Sequence, residues 1–192
     1  MSAIADKWDN IYSQQQSEDA VPSTVLYENA HLLPSHGEGL DLACGMGGNA
    51  IFLASKKLQV QAWDVSTTAL NKLKQYSELR NLSIKVSERD VENNPPDKNI
   101  FDVVAVSQFL HRATFNNLCD SLKIGGLLFY QTFTLEKAQH IGPSNPNFLL
   151  AKNELLNLCN EMEVLVYREE GVQGDSLKGW RNQAMIVAKR IK

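Results

Sequence analysis

The sequence is short of the residues that staple or metallate a fold. It has three cysteines, Cys44, Cys119 and Cys159, in 192 residues. Their number is odd and their spacing unpaired, so neither a disulfide framework nor a zinc centre is expected. The four histidines are scattered, with no H-x-x-x-H pair, and no metal site is expected. No apolar run approaches the ~18 residues that a membrane span needs. There is no basic stripe, and the net charge is −3, which argues against a surface that coats nucleic acid. The opening residues carry Asp6, Lys7 and Asp9 and no apolar core, so no leader is expected and the cytoplasm is the simplest compartment. Internal repeats and low-complexity linkers are missing too. Residues 1–192 therefore read as a single soluble domain, monomer or homodimer, with a small-molecule substrate and neither a nucleic-acid nor a membrane partner.

What is present is an alternation of helical and extended patterns. Ile4, Trp8, Ile11 and Tyr12 recur at helical spacing and predict a helix over 3–14. A second helix is predicted from Pro22 to about 33. Strands are expected at 40–44, 59–63, 82–86, 101–106, 127–133, 163–168 and 183–189. Helices are expected at 50–57, 67–80, 113–122 and 152–160, with Ser66 as the N-cap of the second of these. Strand and helix alternate as far as the fifth strand, which predicts a doubly wound, mostly parallel seven-stranded sheet. No helix separates the last two strands. They pair as a hairpin, so an antiparallel edge strand is expected.

The most informative stretch is Asp41-Leu42-Ala43-Cys44-Gly45-Met46-Gly47-Gly48-Asn49. It reads as the turn leaving the first strand, where glycines let main chain pass close beneath a ligand. Asp64 ends the second strand, 23 positions after Asp41. That approximates the ~20-residue spacing at which such folds place a carboxylate on a ribose. Gly45 to Ala50 also fits G-x-G-x-x-A, a pattern shared with NAD-binding domains. Asp41 tips the balance, because a carboxylate inside the strand repels a pyrophosphate but suits an ammonium group. The helix opened by Asn49 suits a carboxylate. A zwitterionic tail joined to a ribose points to S-adenosylmethionine (SAM).

Five motifs in order make the chain resemble the class I SAM-dependent methyltransferases, whose Rossmann-like fold the resemblance implies. Asp41-Leu42-Ala43-Cys44-Gly45-Met46-Gly47 is similar to their first motif, which implies that Asp41, Ala43, Gly45, Gly47 and Asn49 line the cofactor. Trp63-Asp64-Val65-Ser66 resembles the second, in which the acid takes both ribose hydroxyls and Val65 follows it. Arg89-Asp90-Val91 matches the position after the third strand, where the acidic side chain and the next backbone N–H read adenine. Glu88 and Glu92 are alternatives to Asp90 if the register shifts. Phe101 to Ser107 resembles the fourth-strand motif, and Leu122-Lys123-Ile124-Gly125-Gly126 the approach to the fifth. Lys7 to Tyr12 and Gln131 to Thr134 are similar to the tellurite-resistance-type branch of small methyltransferases.

No general base is legible. Ser107 and Gln108 end the central strand, where ligands bind in open α/β sheets, and are expected to line the pocket. His111 is either a helix cap or an acceptor-site proton carrier, and Arg112 is a candidate anion clamp. Arg181 is either a surface charge or a pocket residue. Trp8 and Tyr12 belong either to the core or to a lid formed by residues 1–35. Cys44 reads as a packed small residue. Asn94-Pro95-Pro96-Asp97 imitates an N-P-P-Y amine-binding loop, but it precedes the fourth strand and lacks the aromatic ring, so it is a turn. The expected reaction is methyl transfer to a small acceptor such as a thiol or chalcogen oxyanion. The alternatives are an NAD-dependent oxidoreductase and a SAM-binding regulator without activity.

Overall fold

A computed structural model describes residues 3–192; the opening residues of the expected 1–35 lid and 1–192 domain, 1 and 2, lie outside the described residues. Among the described residues, seven strands form one sheet in the order β3-β2-β1-β4-β5-β7-β6. The strands are β1 (Glu38–Leu42), β2 (Gln59–Asp64), β3 (Ile84–Glu88), β4 (Phe101–Ser107), β5 (Leu122–Phe133), β6 (Met162–Arg168) and β7 (Gln183–Arg190). The helices are α1 (Ala3–Tyr12), α2 (Thr24–Glu28), α3 (Gly48–Ser55), α4 (Thr67–Leu79), α5 (Phe115–Ser121) and α6 (Glu154–Leu158).

Strand alternation sorts side chains to two faces. On one face Val60, Ala62, Val103, Ala105 and Phe129 bury against Leu53 of α3, Leu73 of α4 and Val25 and Leu26 of α2. On the other, Leu40, Leu42, Trp63, Val104, Val106 and Tyr130 bury against Phe115 and Leu118 of α5 and Leu155 of α6. Asp41 alternates onto the first face, directly beneath the start of α3. That placement, forced by the period of two, builds the site.

The parallel half is as expected, with β1 flanked by β2 and β4 in parallel register. Three expectations change. The antiparallel strand is not at the edge: β7 inserts between β5 and β6, antiparallel to both, and β6 is the outer strand. Ile186, Val187 and Ala188 are wholly buried, while β6 exposes Val164 and Leu165, so burial assigns the interior slot to the more apolar strand. The helix expected from Pro22 to 33 breaks at Asn29, whose side-chain amide donates to the Val25 carbonyl and ends α2. The helix expected over 113–122 is a 3₁₀ turn, Arg112–Thr114, followed by the seven-residue α5. Gly125 and Gly126 lie within β5, at a register shift opposite β4. A Cβ at Gly126 would stand 2.9–3.0 Å from the Lys123 and Phe101 carbonyls.

Candidate active site

Both buried carboxylates converge on the turn after β1. Asp41 Oδ2 accepts from the Ala50 N–H at 2.9 Å, and Oδ1 accepts from the Asn49 side-chain amide at 3.3 Å. The carboxylate thereby satisfies a first-turn amide that α3 cannot satisfy itself. At 1% exposure, Asp41 is desolvated, and burial pushes its pKa up to about 7 against the lowering by Asn49 and Ala50. Asp64 accepts from Gly45 N–H at 2.8 Å through Oδ2 and from Ser66 N–H at 2.9 Å through Oδ1. Burial raises its pKa as well. A carboxylate has about four acceptor sites, and donors from Gly45, Ser66 and Val65 leave this one short of saturation. Cys44, between them, has its thiol pushed well up by burial and then by both carboxylates, which suits packing and not nucleophilic attack.

The turn itself is strained. Ala43 has φ 54°, Gly45 51° and Gly47 84°. For alanine this left-handed geometry costs roughly 1–2 kcal/mol, strain of the kind stored at ligand sites. The amino-terminal segment lies over it. A Cβ on Gly45 would be 2.7 Å from Tyr12 Oη, and one on Gly48 2.1 Å from the Val21 carbonyl oxygen. Burial, followed by Asp64, raises the Tyr12 pKa, so the phenol over the turn is neutral.

Two latches hold α1 there, and neither was anticipated. Asp9 Oδ1 accepts from Ser66 Oγ at 2.5 Å and Thr68 N–H at 2.9 Å, a cap on α4 supplied from α1. The Ser66 hydroxyl lowers the Asp9 pKa. Lys72 Nζ donates to the carbonyls of Tyr12, Ser13 and Gln15 at 3.0, 2.8 and 2.6 Å, closing the carboxyl end of α1. The sequence signal for Asp9 was its place beside Trp8; for Lys72 there was none. Trp8 stacks on Tyr12 at 5.5 Å and is 36% exposed.

Asn49 ties the layers together. Its Oδ1 accepts from Ser23 N–H at 2.8 Å, and its Nδ2 also donates to Ser107 Oγ at 3.2 Å. The amino-terminal segment, β1, α3 and β4 thus meet in one side chain. Ser23 Oγ is buried beside it without a protein partner among the described residues. Gln131, which the sequence marked only as the start of the Gln131 to Thr134 segment, accepts from Val25 N–H at 2.9 Å.

The remaining candidates divide. Val65 is half-buried after β2, and Val91 is buried. Asp90 is exposed and accepts from Glu92 N–H and Asn93 Nδ2, and the bond from the Asn93 side chain lowers its pKa. Gln108 is exposed in a left-handed turn at φ 56°, its N–H donating to the Gln131 carbonyl. His111 Nδ1 is 2.9 Å from Thr114 Oγ1, and its Nε2 lies 3.8 Å from Glu92, so the ring faces the loop after β3. Arg112 spends its guanidinium on Glu154 and on the carbonyls of Asn147 and Leu149. Arg181 donates to the Lys178, Gly171 and Asp175 carbonyls, stitching its own loop. Among the described residues no cluster of three or more histidine, cysteine or acidic side chains could hold a metal ion, and no helix is long and apolar enough to cross a membrane.

Residues 40–126 match the family model described as a methyltransferase domain. The chain is 25% identical over 170 residues to a probable S-adenosyl-L-methionine-dependent methyltransferase, TehB, of Haemophilus influenzae. The match takes in 85% of this chain but spans only 58% of that relative's length. The crystal structure of TehB superposes with a TM-score of 0.72 at 22% identity, covering 95% of this chain and 67% of TehB. Geranyl diphosphate C-methyltransferase from Streptomyces coelicolor, solved with S-adenosyl-L-homocysteine, gives 0.68 at 14% identity over 87% of this chain and 76% of that one. The fold is that of the class I methyltransferases, and TehB is among the proteins the chain resembles.

Proposed function

We propose that this chain transfers a methyl group from SAM to a small-molecule acceptor such as a thiol, a chalcogen oxyanion or a similar nucleophile. One observation carries the reading: two buried carboxylates, Asp41 and Asp64, flank a left-handed glycine turn roofed by the amino-terminal segment. The residues present fit the cofactor. Asp64 has lone pairs left for ribose hydroxyls, Asp41 sets a negative field beneath the turn for an ammonium group, and Ser23 Oγ offers an unpaired hydroxyl. Val65, Asp90 and Val91 are assigned to the adenosine end, and Ala43, Gly45, Gly47, Asn49 and Ser107 to the amino-acid end.

When bound, SAM supplies a methyl group already activated on a sulfonium. The protein then has to align an acceptor and keep water out, and such positioning is worth about 7–11 kcal/mol. The 1–35 segment is assigned as a lid: among its described residues Tyr12 lies over the turn with Trp8 stacked on it, and Asp9 and Lys72 hold α1 down. Gln108, exposed at the end of β4, is assigned to the acceptor side. His111 is the one candidate base, although its Nδ1 is engaged by Thr114. An acceptor that arrives as an anion needs none. Arg112 and Arg181 shape the acceptor side by holding its loops rather than by touching the acceptor. The protein works in the cytoplasm as a monomer or homodimer, without nucleic acid or membrane.

The test is S-adenosylhomocysteine release against a panel of thiols and chalcogen oxyanions, with SAM binding followed by calorimetry. Asp64→Ala is expected to weaken SAM binding by about 1.5–3 kcal/mol, while circular dichroism remains that of the folded protein. Unchanged binding removes Asp64 from the site. Tight binding with no product from any acceptor would make the chain a SAM-binding regulator.

A further inference from the structure

Helix α1 grips both supports of one buried carboxylate. Asp64 rests on two N–H groups: Ser66 donates to Oδ1 at 2.9 Å and Gly45 to Oδ2 at 2.8 Å. Ser66, wholly buried, is held in turn by α1, since its hydroxyl donates to Asp9 Oδ1 at 2.5 Å and accepts from Ala69 N–H at 3.1 Å. Gly45 lies beneath α1 as well: a Cβ there would stand 2.7 Å from Tyr12 Oη. Asp9 and Tyr12 are three positions apart, on one face of the helix. The contacts therefore close a ring from α1 through Ser66, Asp64 and Gly45 back to α1. A cap on α4 would need less. Ser66 Oγ takes the Ala69 N–H by itself, and Asp9 takes the Thr68 N–H at 2.9 Å. The bond between Asp9 and the Ser66 hydroxyl satisfies no helix donor; it fixes the rotamer of the residue whose N–H aims at Asp64. The other latch is built differently. Lys72 holds the carboxyl end of α1 through the carbonyls of Tyr12, Ser13 and Gln15, and none of those bonds is to Ser66, Asp64 or Gly45.

On the reading of the turn as a SAM seat, on which this inference rests, we propose that Asp9 is a positioning residue for the cofactor. It acts through Ser66 to fix the Asp64 carboxylate for the ribose hydroxyls and needs no contact with cofactor or acceptor. A ligating side chain held to within about 0.5 Å by its supports keeps its bonds, and one left free to turn does not. Because coupling between sites is reciprocal, a ligand with a full ribose tightens the Asp9–Ser66 contact by as much as that contact tightens the ligand. Docking of α1 is thereby tied to the sugar, at the end of the cofactor away from the methyl group.

The test is calorimetric titration of the full chain with S-adenosylhomocysteine and with its 2′-deoxy analogue, read as the ratio of the two affinities. Wild type should prefer the full ribose by about tenfold or more, the worth of a hydrogen bond to a charged group. Asp9→Ala should reduce that preference to within about threefold. Asp9→Asn, which keeps an oxygen for Ser66 and Thr68, should restore most of it. Lys72→Met should weaken both ligands alike and leave the ratio unchanged, which is also how a merely structural Asp9 would behave. If Asp9→Ala does not fold, Ser66→Ala, which keeps the Ser66 N–H, reads the same ratio and should lower it likewise. Equal affinity of wild type for the two ligands, equal weakening of both by Asp9→Ala, or a full preference in Ser66→Ala would each overturn the proposal while leaving cofactor binding intact. Binding of neither ligand by wild type would overturn the SAM reading, and the proposal with it.

Discussion

The left and right halves of the sheet's carboxyl end are built by opposite means. On the left, around β1 and β2, two carboxylates are buried without a cation and spend their oxygens on main-chain amides of the turn. On the right, past β5, two arginines spend their guanidinium groups largely on main-chain carbonyls of long loops. The left half concentrates negative charge beneath a bare main chain, the arrangement on which the proposed SAM reading rests. The right half ties polypeptide to polypeptide and keeps little charge free. Under the proposed function, that contrast would set a rigid cofactor seat beside tied loops, which suits a constant donor and a variable acceptor.

The largest break in that contrast is expected at Gly48. A Cβ there meets the Val21 carbonyl oxygen at 2.1 Å, and Val21 belongs to the segment roofing the turn. Gly48→Ala should cost about 2–3 kcal/mol in urea unfolding, at the upper end of overpacking penalties, and should reduce SAM binding in parallel. Retention of both would mean that the roof moves freely.

A smaller effect is expected on the right. Arg112→Ala removes a bidentate pair and two carbonyl contacts from a partly exposed site, which should cost about 1–2 kcal/mol after screening. It should loosen residues 142–153 in hydrogen exchange and leave SAM affinity within twofold. Equal losses of SAM and acceptor binding would erase the division between the halves.

The smallest effect is a pH dependence of opposite sign in the two halves. Asp41 has a raised pKa in the folded state, so its contribution to stability is complete below the unfolded carboxyl value and is lost as pH rises through about 7. Between pH 6 and pH 7 the loss should be about 1 kcal/mol, absent in Asp41→Asn. Glu154, lowered first by Arg112, contributes stability that is present above the ordinary carboxylate range and lost on acidification. Urea midpoints of wild type, Asp41→Asn and Glu154→Gln across pH 4–8 separate the two; parallel slopes would refute the assignment.

The left half was legible because its residues serve the backbone locally. Asp41, Gly45, Gly47 and Asp64 are spaced by a strand, a turn and a strand, and Ser66 caps α4 from its own chain position. The predicted limits of β1 were off by two residues at each end, since Ala43 reads as extended but turns through a positive φ and takes Cys44 out of the strand. The right half was not legible, because its contacts join residues far apart. Arg112 looked free for an anion and is held by Glu154, 42 positions away. On the left the Lys72 latch is hidden in the same way, reaching Tyr12 across 60 positions. The position of β7 was missed for the same reason: a hairpin was readable, but which of its strands faces β5 depends on burial against distant helices.

That last feature has a bearing on synthesis. Strands β2, β3, β4 and β5 each find a hydrogen-bonded neighbour already made when they leave the ribosome. Strand β6 does not, since its neighbour is β7, translated after a further loop of some length. Until then Val164 and Leu165 have no ladder to join and β5 shows an open flank, so a nascent chain paused over residues 169–182 holds two complementary sticky edges at once. Chaperone demand during translation should peak in that interval and fall abruptly once the final strand slides between them.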